Sequence, residues 1–187
     1  TNRVMTSPDG ITWTARSSAS EANDWNSVCW SPELSIFVAV AYGGTNRVMT
    51  SPDGITWTAR SSASEANTWV SVCWSPELSI FVAVANSGTN RVMTSPDGIT
   101  WTARSSATEA NSWYSVCWSP ELSIFVAVVP GGTNQVMTSN IGMPNSKSVV
   151  KALPTQMSVL PNGNVGIGTF AEEKLVVDGN MRLLGDL

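Results

Sequence analysis

TNRVMTSPDGITWTARSS, residues 1–18, decides the fold because it returns. The same eighteen residues start again at Thr45 and at Thr89, and TNQVMTSN opens a fourth copy at Thr133 that leaves the pattern after Ser139. A fixed 44-residue step of this kind marks a repeat architecture, in which each unit packs against its neighbours. Within one copy, short β-prone runs alternate with turn signals: NRVMTS, then Ser7-Pro8-Asp9-Gly10, then ITWTAR, a polar loop, WNSVCWS, Ser31-Pro32-Glu33, SIFVAVA and Gly43-Gly44. Four strands per copy follow. Pro8 presets φ for the first turn and Gly10 can take positive φ, which predicts a tight hairpin between NRVMTS and ITWTAR. No helical period of comparable length occurs in the repeats.

Four antiparallel strands in about 40–45 residues is the size of one blade of a β-propeller, so the expected class is all-β, with propeller-type blades that form an incomplete ring in this chain. Each copy carries three tryptophans. A mostly buried aromatic removes about 150–250 Å² from water, worth roughly 4–6 kcal/mol each as an upper bound. Trp13, Trp30, Trp57, Trp74, Trp101 and Trp118 are expected to pack between blades. Three blades are too few to close a ring, since propellers have about four to eight. The expectation is that further repeats precede Thr1, the alternative being that several chains contribute blades to one ring.

Ser7-Pro8-Asp9-Gly10-Ile11-Thr12-Trp13, repeated at Ser51 to Trp57 and Ser95 to Trp101, resembles the Asp-box turn of sialidase-type and photosystem-assembly-factor-type propellers. It differs in lacking one residue between Asp and Gly. In those families the box joins the third and fourth strands of a blade. The resemblance therefore implies blades running from Trp25 to Arg60 and from Trp69 to Arg104, with a third starting at Trp113 and residues Asn2 to Arg16 completing another. Asp9, Gly10, Asp53, Gly54, Asp97 and Gly98 are then structural turn residues.

After Ser139 the composition changes: Trp and Cys vanish, and Gly, Asn and short alternating runs take over. Asn162-Gly163-Asn164 and Asp178-Gly179-Asn180 are hairpin-type turns flanking Val165-Gly166-Ile167-Gly168-Thr169 and Lys174-Leu175-Val176-Val177. The pattern GNVGIGT…EKLVVDGNM closely resembles the short repeats of bacteriophage and large-virus tail-fibre stems over about 25 residues. Such stems are intertwined homotrimers. A strand-rich segment this short cannot bury Val149, Val150, Leu153, Val159, Val165, Ile167, Leu175, Val177, Leu183 and Leu184 by itself. The expected organisation is repeats over 1–139 (copies 1–44, 45–88, 89–132 and a partial 133–139), a linker over 140–147 and a trimerising segment over 148–187.

Chemistry is sparsely supplied. The chain has no histidine, which removes the commonest general base and metal ligand, so catalysis would have to run on carboxylates. Asp9, Asp53 and Asp97, with Glu33, Glu77 and Glu121, all belong to repeated turns, where a carboxylate caps backbone amides. A sialidase needs an arginine triad and a tyrosine nucleophile paired with a glutamate. The only tyrosines, Tyr42 and Tyr114, sit at positions that vary between copies. Gly166-Ile167-Gly168 has no following helix and reads as strand, not as a nucleotide loop. Cys29, Cys73 and Cys117 recur with the repeat inside Val-Cys-Trp and are expected to be buried, unpaired thiols.

A net charge of −4 and the absence of any Lys/Arg run argue against nucleic acid, and no run of about 18 apolar residues could span a bilayer. Arg3, Arg47 and Arg91, replaced by Gln135 in the partial copy, are expected to face solvent, with glycan or acidic-group contact as the sharper reading. Differences between copies fall at Asp24 and Asn26, Thr68 and Val70, Ser112 and Tyr114, and at Tyr42 and Asn86 in the following loop. These eight residues form the candidate recognition surface. The functional expectation is a non-enzymatic structural or attachment protein of a virion, a propeller on a trimeric stem that contacts a host-surface glycan or protein. It needs no cofactor or metal and sits on the virion surface or outside the cell. The alternative is a cellular secreted glycan- or peptide-binding propeller with an oligomerisation tail.

Overall fold

The computed structural model describes residues 2–20, 22–108, 111–139, 157–159 and 165–167, and all regular structure among them is β. The chain divides into two compact units, Thr1–Ile141 and Gly142–Leu187.

In the first unit, β1 (Val4–Thr6) and β2 (Thr14–Arg16) form an antiparallel hairpin in which Val4 faces Arg16. Strands β3 (Trp25–Ser31), β4 (Ile36–Ala41), β5 (Val48–Ser51) and β6 (Thr58–Arg60) form an open antiparallel meander. Strands β7 (Thr68–Ser75), β8 (Ile80–Ser87), β9 (Val92–Ser95) and β10 (Thr102–Arg104) repeat it. Strands β11 (Ser115–Ser119), β12 (Ile124–Val128) and β13 (Val136–Thr138) make a three-stranded sheet. Each four-stranded sheet takes its first two strands, here called the inner hairpin, from one copy and its last two, the outer hairpin, from the next, so the sheets run out of phase with the sequence repeat. The connection within each outer hairpin is wider than the tight turn expected: seven residues, 7–13, separate β1 from β2. Gly10, Gly54 and Gly98 do take positive φ (74°, 71° and 72°).

The sheets pack face to face. Val38, Val40 and Val48 of the first four-stranded sheet meet Trp69, Val72, Trp74, Phe81, Ala83 and Met93 of the second in one buried cluster. Val82 and Val84 of the second sheet meet Trp113, Val116, Phe125, Ala127 and Val129 of the third in another. The period-2 alternation of β4, β8 and β12 makes this work, because Ile, Val and Val point to one neighbour while Phe and Ala point to the other. Trp69 and Trp113 are the largest fully buried side chains.

In the second unit, β14 (Met157–Val159) pairs antiparallel with β15 (Val165–Ile167), and Asn162-Gly163-Asn164 falls in their connection. Gly166 and Ile167 lie inside β15. The Asp178 turn, the Lys174–Val177 run and the side chains expected in a trimer core lie outside the described residues.

Candidate functional site

The box loop is built from its own short side chains. Ser51 Oγ accepts from the amides of Asp53 and Gly54, while Asp53 Oδ1 accepts from Ile55 N and Thr56 N, both at 2.8 Å. Trp57 Nε1 closes the loop on Gly54 O. Asp9 and Asp97 repeat this with nearly the same distances. The amides of Thr12 and Thr56, then those of Ile11 and Ile55, hold the Asp9 and Asp53 carboxyls below their ordinary range. At Asp97, partial burial acts in the opposite direction, and the amides of Thr100 and Ile99 outweigh it. A carboxylate so held is a turn element, since its lone pairs already accept from the backbone.

The other repeated polar residues join one repeat to the next. Trp74 Nε1 donates to Glu33 Oε2 at 2.7 Å, and Trp118 Nε1 to Glu77 Oε2 at 2.6 Å. These glutamates therefore cap an indole of the following sheet, and Glu33 also accepts from Ser31 Oγ of its own turn at 3.5 Å. The expected solvent exposure of the arginines is corrected as well. Arg47 Nη1 donates to Asn67 O and Arg91 Nη1 to Asn111 O, and both residues are half-buried. Arg3, more exposed, reaches Asn23 O and pairs with Asp24 at 3.0 Å. Ser27 Oγ accepts from Val72 N, and Ser71 Oγ from Val116 N. The Gln135 side chain donates to Gly132 O of its own loop.

The tryptophans split according to whether a neighbouring sheet covers them. Trp74 is 8% exposed, and Trp57, Trp101 and Trp118 are half-buried. Trp30 and Trp13, expected between blades, are exposed at 39% and 52%: among the described residues no glutamate of a preceding sheet caps Trp30 as Glu33 caps Trp74, and hairpin β1–β2 has no phenylalanine beside Trp13 as Phe37 stands beside Trp57. Phenylalanine joins two indoles in each full sheet, Trp30–Phe37–Trp57 and Trp74–Phe81–Trp101, but Phe125 meets Trp118 alone. The cysteines are unpaired as expected. Burial pushes the Cys29 and Cys73 thiols up to about 12, whereas Cys117, expected buried, is exposed on the trailing face of the last sheet.

Of the candidate recognition residues, the structure keeps some on the surface. Asp24 and Tyr42 share one edge, where Tyr42 N donates to Asp24 O at 2.7 Å and the Tyr42 ring is 47% exposed. Tyr114 is 49% exposed. Asn26 is exposed and donates across sheets to Val70 O. Val70 and Asn86, at 5% and 8%, are buried and drop out of that surface. Thr68 is turned toward Asn86 and Ser87, and Ser112 is half-buried.

Sequence reasoning missed Asn23, Asn67 and Asn111. Each is buried, and each amide nitrogen ties down two carbonyls of the next loop: Thr45 and Asn46, Thr89 and Asn90, Thr133 and Asn134. Trp25, Trp69 and Trp113, counted among the three packing tryptophans of each copy, are half-buried in the first copy and fully buried in the next two. The unchanging Ala-Asn-x-Trp in every copy was the available signal.

Two grooves accompany these faces. One of about 590 Å³ lies against the first four-stranded sheet, lined by Arg3, Met5, Trp13, Trp25, Val28 and Trp57 among others. The other, about 300 Å³, lies between the second and third sheets.

No family model and no curated protein matches the chain. Among solved structures, it is similar to the computationally designed Ika4 protein, at 17% identity and a TM-score of 0.44, over 62% of this chain and 64% of that one. A candidate 6-phosphogluconolactonase from Bacteroides uniformis gives 14% and 0.45, over 82% and 51%. The designed Ika8 protein gives 14% and 0.36, over 70% and 50%. The matched regions thus span between about half and two thirds of those chains.

Proposed function

We propose that the first unit is an arc of a β-propeller and serves as a non-enzymatic attachment module. A trimeric stem formed by residues 148–187 carries it on a virion surface, where it contacts a host glycan or protein. One observation carries the reading: the repeated polar side chains are occupied in holding loops and sheets together, while Asp24, Asn26, Tyr42 and Tyr114, four of the eight positions chosen where copies differ, are exposed. Asp53 is held by amides and Glu33 by an indole, whereas Asp24 and Tyr42, which change from copy to copy, stand side by side and exposed. An exposed tyrosine beside a carboxylate suits a sugar ring or a polar protein surface, because its ring stacks while its hydroxyl hydrogen-bonds. The 44-residue meanders, their face-to-face packing and the box between third and fourth strands support the propeller reading. The fibre-like run GNVGIGT…EKLVVDGNM supports the stem.

The test is binding of the full chain to host-cell surfaces and to arrayed glycans. Tyr42→Ala and Asp24→Ala are expected to lose binding while keeping the thermal midpoint. Binding that ignores both changes would refute the assigned surface. Turnover of aryl glycosides that vanishes when Asp9, Asp53 and Asp97 become Asn would overturn the non-enzymatic reading.

A further inference from the structure

Most repeated charges of the first unit are spent on the protein itself. Arg47 donates Nε to Gly44 O and Nη1 to Asn67 O, Arg91 does the same with Gly88 and Asn111, and Glu33 and Glu77 each hold an indole. Arg16 and Arg60 differ. Arg60 Nε donates to Thr50 Oγ1 at 3.1 Å and Arg16 Nε to Thr6 Oγ1 at 3.2 Å, which pins each guanidinium, yet among the described residues the Nη1 and Nη2 groups of both have no protein acceptor. Most of the N–H donors on these half-buried side chains are therefore unspent. The register fixes where the arginines stand. Val48 pairs with Arg60, so Arg60 shares the face on which Val48 packs against the second sheet, and Arg16, paired with Val4, holds the same place one repeat earlier. Across that seam stands the box of the next repeat. The Cβ position of Gly98 lies 3.7 Å from Thr50 Cγ2 and that of Gly54 3.4 Å from Thr6 Cγ2, while Trp101 Nε1 and Trp57 Nε1 donate to Gly98 O and Gly54 O, both at 3.1 Å. Arg60 with Trp101, and Arg16 with Trp57, thus flank one point of contact in each seam, and both tryptophans are half-buried.

We propose that these two seams bind the acidic groups, sulfate or carboxylate, of a polysaccharide, with a sugar ring lying against the neighbouring indole. A guanidinium fork meets either anion with two parallel bonds, and the indole offers a flat apolar surface to the C–H face of the ring. Pinning through Nε removes rotamer freedom before the ligand arrives, so less entropy is lost on binding. Asp97 belongs to the same loop, but its carboxylate accepts from Ile99 N and Thr100 N, and the one salt bridge among the described residues is Arg3–Asp24. The net charge of −4 does not forbid an acidic ligand, since screening at ~0.15 M salt confines charge effects to roughly 8 Å and the groups in contact decide. A polymer fits better than a single anion because the site recurs from seam to seam, and contacts that are weak singly act together on one chain. The site uses neither Asp24 nor Tyr42.

Labelled dextran sulfate, carboxymethyl dextran and unmodified dextran are titrated against the full chain at several salt concentrations. One or both of the acidic polymers are expected to bind, with affinity falling as salt rises, and the tighter of the two identifies the acidic group. Arg16→Gln and Arg60→Gln are each expected to weaken binding on the order of tenfold. Arg60→Lys, which keeps the charge and loses the fork, should weaken it less, and Tyr42→Ala should leave it unchanged. Phenylglyoxal modification of the unaltered chain answers the same question should a variant lose stability. Because the copies share their sequence around these residues, the arginines are read as two classes. Dextran sulfate is expected to protect the class of Arg16, Arg60 and Arg104 and to leave that of Arg3, Arg47 and Arg91 as it was. Absence of protection, binding of unmodified dextran as tight as that of the acidic polymers, or binding untouched by the Arg16→Gln, Arg60→Gln double change overturns the proposal. Duplex DNA bound as tightly as dextran sulfate would show that charge alone is read, and would overturn the assignment to a polysaccharide.

Discussion

Glu33 Oε2 lies 2.7 Å from Trp74 Nε1, joining a turn of one repeat to an indole of the next. Trp74→Ala is expected to cost about 3–5 kcal/mol in urea unfolding, as truncation of a buried aromatic does. Glu33→Ala leaves a buried indole N–H without its acceptor, at about 1–3 kcal/mol. Glu33→Gln keeps an acceptor and should cost less. Trp30→Ala, with its ring 39% exposed, should cost less than Trp74→Ala. Equal costs for Trp30 and Trp74 would contradict the burial described.

Gly88 and Gly10 both take positive φ, yet they should respond differently to alanine. A Cβ on Gly88 would collide with the side chain and backbone of Asn67, whereas one on Gly10 meets nothing. Gly10→Ala is expected to cost only the left-handed backbone penalty, about 1–2 kcal/mol. Gly88→Ala should cost more and should also loosen the Asn67 bonds to Thr89 and Asn90. Thermal midpoints of the two variants settle the order.

The box carboxylates make stability acid-sensitive. Their folded pKa values lie below the ordinary 3.8, so the stabilisation they give is complete above that value and is lost as the pH falls through the lower folded values. Urea midpoints should therefore hold from neutral pH to about pH 4 and drop below it. Replacing Asp53 by Asn should lower the midpoint at pH 7 and flatten the drop in acid. An unchanged acid profile in that variant would remove the box from the explanation.

Thiol reactivity should divide the three cysteines. With Cys29 and Cys73 pushed up to about 12 by burial, almost no thiolate exists at pH 8, and a maleimide should leave both unmodified in the folded chain. Modification of Cys29 as fast as Cys117 in the dilute folded chain would show that the second four-stranded sheet does not cover the face of the first on which Cys29 lies.

Strand positions were legible because alternation and turn residues are local properties, and the four runs around Val4, Ala15, Val28 and Val38 all became strands. The phase of the sheets was legible only through the box resemblance, since nothing local says that β4 pairs with β5 across Gly43-Gly44. The roles of Arg47, Glu33 and Asn67 were not legible. Each bonds a partner about 20 to 40 residues away, and a charged residue beside a turn looks the same from the sequence whether it faces water or the next sheet. The loop length between β1 and β2 was misjudged because Ser7 and Asp9 fold the amides of Asp9, Gly10, Ile11 and Thr12 onto their own side-chain oxygens, which widens the turn.

The links between repeats fall at fixed separations, 20 residues for arginine to carbonyl, 41 for indole to carboxylate and 45 for amide to hydroxyl. Adding or removing one whole unit of 44 residues gives every such donor an equivalent acceptor, whereas a change of 43 or 45 would misalign them all. Unequal recombination between near-identical copies changes length in such whole units. A chain that gains or loses whole units therefore keeps every interface between repeats, whereas any other change of length breaks all of them at once.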